Sequence, residues 1–180
     1  MSTKIFTEGT PNPNALKFVV DKTLLEKGTA NFPNKEKAKN VPIAKKLFDI
    51  KSVQEVFIGK DFITITKESG VSWDSIYGKI EEILNKHISS NEPILIEETE
   101  SKKSTNPIEE KIKEILDHQI RPAVASDGGD IIFDSYNDGI LRLHLQGACS
   151  SCPSSIMTLK AGVEQMLKRQ IPELKEVISV

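Results

Sequence analysis

A polar run near the middle of the chain constrains its fold most strongly. Residues 97–105 (EETESKKST) contain no aliphatic or aromatic side chain, and such a run between periodic apolar segments is typical of a linker. The chain has 180 residues, whereas a globular domain commonly has about 100–150. The sequence therefore predicts two small domains, 1–96 and 106–180, joined by the polar linker 97–105.

The N-terminal half, residues 1–96, predicts the element order ββαββα. Four short runs are rich in residues that favour strands: 4–8, 16–20, 53–58 and 62–66. Turn-forming residues separate the members of each pair, so two hairpins are expected. Two runs have the apolar spacing of amphipathic helices: 43–48 and 72–87. Phe57 and Phe62 are expected in the apolar core.

The C-terminal half, residues 106–180, predicts the order αββαβ. Asn106 followed by Pro107 is a typical helix start, and Pro122 is expected to end that helix. The later elements are two strands, a helix and a strand, expected at 131–136, at 140–146, from Pro153 to Pro172, and at 177–178. Both halves are therefore expected to be small α/β-sandwich-like domains of the α+β class.

Charge and hydropathy exclude several classes of protein. No apolar run approaches the roughly 18 residues of a membrane-spanning helix, so no membrane association is expected. The net charge is −2, whereas nucleic-acid-binding proteins generally carry a basic excess, so no nucleic-acid partner is expected. The first residues resemble neither a secretory signal nor a transit peptide, and we therefore expect a cytoplasmic protein.

Both cysteines of the chain lie in one short segment, Cys149-Ser150-Ser151-Cys152. The segment follows a predicted strand and precedes Pro153, and proline is favoured at the first position of a helix. Cys152 is therefore expected to be the N-cap of that helix, with first-turn amides that point at its sulfur and favour the thiolate. Without a secretory signal, a structural disulfide is not expected.

Two thiolates at this spacing can bind one metal ion or two irons of one cluster. Zinc sites and iron–sulfur clusters ordinarily have four protein ligands, however, and one chain supplies half of that set. The remaining ligands could come from His144, from an external thiol, or from the same motif of a second chain across a two-fold axis. The symmetric arrangement is the simplest of these.

Two other functions remain open from the residues alone. One is a thiol–disulfide oxidoreductase in which Cys149 is the nucleophile and Cys152 the resolving thiol. A thioredoxin-like domain has most of its sheet after this motif, and here only residues 153–180 follow, which disfavours that fold. The other is a structural protein in which a zinc ion bound by four cysteines joins two chains.

The motifs of the C-terminal half closely resemble the C-terminal domain of NifU-type proteins. The resemblance covers essentially all of residues 107–180 and rests on these segments: Arg121-Pro122, Asp127-Gly128-Gly129-Asp130, 145–155, Thr158-Leu159-Lys160, Gly162-Val163-Glu164 and Pro172-Glu173. We expect the double glycine first of all to form a tight turn. The N-terminal half is similar to the Nfu N-terminal domain in three segments: 10–18, 44–48 and 56–64.

This resemblance implies a specific function. It implies a non-enzymatic scaffold or carrier that holds a [4Fe–4S] cluster between the CxxC motifs of two chains, which form a homodimer on cluster binding. Cys149 and Cys152 match the ligand positions of the family. The resemblance also implies that the cluster comes from upstream assembly machinery and passes to apo iron–sulfur client proteins.

Overall fold

The computed structural model describes residues 4–92, 94 and 106–180. Its strands are β1 (Ile5–Gly9), β2 (Ala15–Val20), β3 (Ala30–Phe32), β4 (Val53–Ile58), β5 (Phe62–Lys67), β6 (Gly129–Asn137), β7 (Ile140–Gly147) and β8 (Glu176–Ser179). Its α-helices are α1 (Pro42–Phe48), α2 (Tyr77–Ser90), α3 (Pro107–Ile115), α4 (Arg121–Ser126) and α5 (Pro153–Gln170). The linker predicted at 97–105 lies outside the described residues.

The N-terminal half forms one antiparallel sheet with the strand order β1-β2-β5-β4-β3. Both predicted hairpins are confirmed, because β1 pairs with β2 and β4 pairs with β5. Phe18, Val56 and Ile63 belong to the core on one face of this sheet, and Leu47 of α1 and Leu84 of α2 belong to the same core. Burial of these apolar side chains stabilises the half.

The opposite face of this sheet bears a different set of side chains. Lys17 pairs with Thr64, and Thr64 pairs with Phe57, so the three share one face. We call Lys17, Glu55, Phe57 and Thr64 the outer face. Phe57 is fully buried there, which confirms its expected place in the apolar core, but it lies outside the cluster that packs against α1 and α2.

The C-terminal half forms a three-stranded sheet with the order β6-β7-β8, in which β6 and β7 are antiparallel and β7 and β8 are parallel. Helices α3 and α5 contribute Ile112 and Leu167 to its core, which also contains Leu143 of β7. The α+β class is therefore confirmed, and the order is the predicted αββαβ except that a second helix, α4, follows the first. At one end of the sheet Gly129 pairs with Gly147, where the cysteine segment begins.

Three local predictions differ from the structure. The N-terminal half contains an additional strand, β3, whose three residues are too few for a periodic signal. The predicted helix start at Ser72 is a 3-10 turn, and α2 begins at Tyr77. The chain also stays helical past Pro122, because a π turn (Leu116–Ile120) ends the first helix and places this proline in the first turn of α4.

One further prediction for this half is confirmed. Asn106 caps α3, since its side-chain oxygen accepts a hydrogen bond from the Ile108 N–H at 3.0 Å. Among the described residues, none of the helices is long and apolar enough to cross a bilayer.

Candidate metal centre

The two cysteines lie in a turn between β7 and α5. Gly147 ends β7 with a φ of 66°, a left-handed conformation that glycine adopts without strain. The Ala148 N–H then donates to the Gly128 carbonyl at 3.2 Å, and the Ser150 N–H donates to the Gly147 carbonyl at 3.1 Å. These bonds hold residues 147–152, which we call the cysteine loop.

Neither cysteine is in a disulfide, and both are largely buried, with 4% of Cys149 and 8% of Cys152 exposed. Cys152 is the N-cap of α5 and Pro153 opens that helix, as predicted. The first-turn amides, which were expected to point at the Cys152 sulfur, make no capping hydrogen bond to it, and this sulfur lies 3.1 Å from Ser154 Oγ.

The protonation of Cys149 follows from its surroundings. Burial raises the pKa of Cys149 to about 11, and the charges of Asp127, Asp130 and Cys152 act in the same direction. In the absence of a metal the group is therefore a neutral thiol at physiological pH. A metal would bind it with release of the proton, because the thiolate is the ligand form.

Gly129 allows the close approach of Cys149 to β6. A Cβ atom at position 129 would lie 2.8 Å from Cys149 Sγ and 2.6 Å from the Gln146 carbonyl oxygen. Gly128 forms the expected tight turn, with a φ of 81° and a hydrogen bond from its N–H to the Ala125 carbonyl. Gly128 thus forms the turn, and Gly129 contacts Cys149. The contact with Cys149 was not predicted.

A buried ion pair fixes the strand that starts at this turn. Asp130 is 3% exposed, and its two carboxylate oxygens accept hydrogen bonds from Arg121 Nε at 2.8 Å and Nη2 at 2.7 Å. Hydrogen bonds from the guanidinium to Asp130 raise the pKa of Arg121, so the guanidinium stays charged. Arg121 also pairs with Asp117 at 2.9 Å. A bidentate pair of this kind restricts the geometry of both partners.

The N-terminal half covers the cysteine loop. Asn12 donates from Nδ2 to the Ala148 carbonyl at 3.2 Å and to Ser151 Oγ at 2.8 Å. On the other side, Ser150 Oγ donates to Glu55 Oε2 at 2.8 Å, and burial raises the pKa of Glu55. Sequence reasoning did not predict these contacts, because the Pro-Asn pattern around Asn12 indicates a turn but not the surface that the turn contacts.

An apolar groove of about 450 Å³ leads to Cys149. Val163 and Met166 of α5 line it on one side, Val124 lines it on the other, and Pro11 of the N-terminal half borders it. The low polarity of this groove agrees with the raised pKa of Cys149, because an apolar environment disfavours the thiolate.

His144, a candidate ligand in the sequence, does not belong to the site. Its ring nitrogens face the Val180 carbonyl at 2.9 Å and Asp134 Oδ1 at 3.2 Å. Within residues 4–92, 94 and 106–180, no group of three or more His, Cys, Asp or Glu side chains is arranged to hold a metal ion. The structure thus brings together the two cysteines of the CxxC motif and leaves His144 apart.

Comparison with known protein families gives two matches, one on each side of residues 97–105. The family model described as "Scaffold protein Nfu/NifU N terminal" matches residues 5–91. The model described as "NifU-like domain" matches residues 112–178.

Individual proteins give the same result. The chain is 44% identical to a human protein named "NFU1 iron-sulfur cluster scaffold homolog, mitochondrial", over 98% of this chain and 71% of that one. It is 46% identical to a Drosophila ananassae protein of the same name, over 98% of this chain and 64% of that one. A solution NMR structure of a NifU-like protein from Saccharomyces cerevisiae is 30% identical and covers 54% of this chain and 87% of its own, with a TM-score of 0.49.

These names correct one prediction. Both relatives are called mitochondrial, so the cytoplasmic location expected from the first residues is wrong. The expectation relied on the composition of a short segment at the start of the chain, and that composition is a weak indicator of location.

Proposed function

Because the chain belongs to the Nfu/NifU family of iron–sulfur cluster scaffold proteins, we propose that it carries a [4Fe–4S] cluster between Cys149 and Cys152 of each of two chains. One observation carries the proposal: the two cysteines of the chain lie in one loop at the start of α5, and neither is in a disulfide. Thiolates are the usual ligands of such clusters, and four are normally needed.

The need for four thiolates supports a two-chain site. A two-fold axis through the cluster doubles the ligand set without any further cysteine. Gly147 and Ala148 suit this arrangement, because small residues beside the cysteines let two loops approach closely around a cluster. In this proposal the chains dimerise on cluster binding through their C-terminal domains, 106–180, while the linker 97–105 joins each to its N-terminal domain, 1–96.

Transfer of the cluster is a ligand exchange. A client thiolate bonds to an iron as a carrier thiolate leaves, the released cysteine takes up a proton, and the iron oxidation states do not change. Each carrier chain holds the cluster by only two bonds, so stepwise replacement by client cysteines releases it as the dimer separates. The protein therefore acts as a carrier and not as an enzyme.

The partners and the location follow from the same function. The cluster comes from upstream assembly machinery, and the recipients are apo iron–sulfur proteins. The names of the relatives support a mitochondrial location, and the net charge of −2 supports the absence of a nucleic-acid partner.

The alternative oxidoreductase function is disfavoured by the protonation of its nucleophile. A reactive cysteine needs a lowered pKa, whereas burial raises the pKa of Cys149 to about 11. A zinc site shared by four cysteines uses the same two residues per chain. Colour and sulfide content distinguish it from a cluster, because zinc sites are colourless and contain no sulfide.

The test is cluster binding by single-cysteine variants. We expect Cys149→Ser and Cys152→Ser to lose stable iron and sulfide after anaerobic reconstitution, with unchanged circular dichroism. His144→Ala is the control, because its ring lies apart from the site, and it should retain both. Normal iron and sulfide contents in either serine variant would refute the ligand assignment.

A further inference from the structure

The outer face of the N-terminal sheet is buried by the C-terminal half. Phe57 is fully buried and Thr64 is 1% exposed, although antiparallel sheets commonly leave one face in water. A Cβ atom at Gly147 would lie 3.0 Å from the Phe57 ring, and one at Gly128 would lie 2.9 Å from Thr64 Oγ1. The two halves therefore pack closely at Gly147, which lies in the cysteine loop, and at Gly128, which lies in the neighbouring turn.

The polar contacts between the halves concentrate on the cysteine loop. Asn12, itself 3% exposed, donates to Ala148 and Ser151, and Glu55 accepts from Ser150. These partners lie next to Cys149 or Cys152 in the chain. The N-terminal half thus supplies hydrogen-bond partners to polar groups on either side of both cysteines.

Two further hydrogen bonds from the N-terminal half hold the neighbouring 127–130 turn. Thr29 Oγ1 donates to Asp130 Oδ2 at 2.7 Å, and Lys17 Nζ donates to the Ser126 carbonyl at 3.4 Å. These bonds flank the double glycine, which in turn contacts Cys149. The outer face therefore binds the two segments that form the site, the cysteine loop and the 127–130 turn.

We propose that the outer face, with Asn12, is an intramolecular docking surface that closes over the cysteine loop of the cluster-free chain. It must leave the loop before a second chain can bind there, because Asn12 and Glu55 occupy hydrogen-bonding groups of Ala148, Ser150 and Ser151, the residues beside the two cysteines. A second copy of the chain and the N-terminal half thus compete for one surface. Only this competition rests on the proposed function; the shielding of the thiols does not.

The rate of thiol alkylation tests the shielding. Iodoacetamide is added to the cluster-free full chain, and its incorporation at Cys149 and Cys152 is followed by mass spectrometry. Asn12→Asp removes the amide donor but keeps the oxygen that accepts from the Asn14 N–H. Loss of the two donated bonds raises the open fraction, and with it the alkylation rate, about tenfold. The added negative charge would by itself slow alkylation, because it disfavours the reactive thiolate. Faster alkylation therefore indicates that the N-terminal half has moved away from the cysteine loop.

The control is Asn34→Asp, which keeps the hydrogen bond from the Lys37 N–H in an exposed turn. A second variant, Thr64→Gln, enlarges a side chain that has no space in the closed form and lies on a free sheet face in the open form. Its control is Thr7→Gln at an exposed position of β1. Fluorescence of Trp73, the single tryptophan, verifies that the N-terminal half is folded in each case.

We expect Asn12→Asp and Thr64→Gln to react about tenfold faster than the wild-type chain and both controls to react at its rate. Wild-type rates in folded Asn12→Asp and Thr64→Gln would overturn the proposal. Reconstitution of the same samples separates it from the proposed function: faster alkylation without any bound iron would support docking and refute cluster carriage. Faster alkylation with faster iron uptake would support both.

Discussion

Replacement of Gly129 by alanine tests the closest contact in the site. The added Cβ would lie 2.8 Å from Cys149 Sγ and 2.6 Å from the Gln146 carbonyl oxygen. The carbonyl is backbone at the β6–β7 ladder, where Asp130 pairs with Gln146, so it cannot move without disturbing that pairing. The sulfur can move only by a change in the cysteine loop. Gly129→Ala therefore displaces one of the two proposed ligands.

The magnitude follows from two opposing effects. Overpacking of this kind costs about 1–3 kcal/mol, while replacement of glycine reduces the entropy of the unfolded chain and contributes about 0.4–1 kcal/mol of stability. The net loss in free energy of unfolding is therefore about 0–2.6 kcal/mol, with a midpoint of about 1.3 kcal/mol. Gly162→Ala in α5 is the control, because a Cβ there meets no atom within 4 Å, and it should stabilise the chain by about 0.5–1 kcal/mol.

Urea unfolding followed by circular dichroism measures both variants, and Trp73 fluorescence reports separately on the N-terminal half. Reconstitution then measures iron per chain, which should fall in Gly129→Ala and stay normal in Gly162→Ala. If Gly129→Ala is as stable as Gly162→Ala and binds as much iron, the close contact at Cys149 does not exist and the reasoning is refuted.

Two other changes test the interior. Arg121→Met leaves the buried Asp130 carboxylate without its ion pair, so the free energy of unfolding measured in urea should fall by about 3–5 kcal/mol. A decrease no larger than that caused by a surface substitution would contradict the importance of this ion pair for stability. Burial lowers the pKa of His87 from its usual 6.5. Below pH 6.5 the unfolded chain therefore binds a proton at this residue that the folded chain does not bind. The free energy of unfolding consequently falls as the pH is lowered. His87→Gln should remove the contribution of His87 to the fall in free energy of unfolding at acid pH. An unchanged dependence of the free energy of unfolding on pH would refute this role of His87.

Elements with strong periodic signals were predictable from the sequence. The limits of β4 coincide with the expected run 53–58, and the capping of α3 by Asn106 follows from the residues themselves. Strand β3 and the helical path through Pro122 were not predictable, because a three-residue strand pairs through tertiary contacts and a π turn changes which amides need partners.

The site was predictable in its chemistry but not in its surroundings. The CxxC spacing and Pro153 identify the thiols and the N-cap of α5. The cover by Asn12 and Glu55 depends on how two separately folded halves pack, and no local pattern encodes that packing. Periodicity places Phe57 in a core, and only the structure distinguishes the helix-packed face of the sheet from the outer face.

The stoichiometry of the reconstituted protein tests the central claim most directly. The full chain is reconstituted anaerobically with iron, sulfide and a reductant, and the same sample is analysed for iron, for sulfide and by native mass spectrometry. The account predicts about four iron and four sulfide ions per two chains, in a dimer that dissociates when the cluster is removed. A monomer without iron, or a colourless dimer that contains zinc and no sulfide, would contradict it.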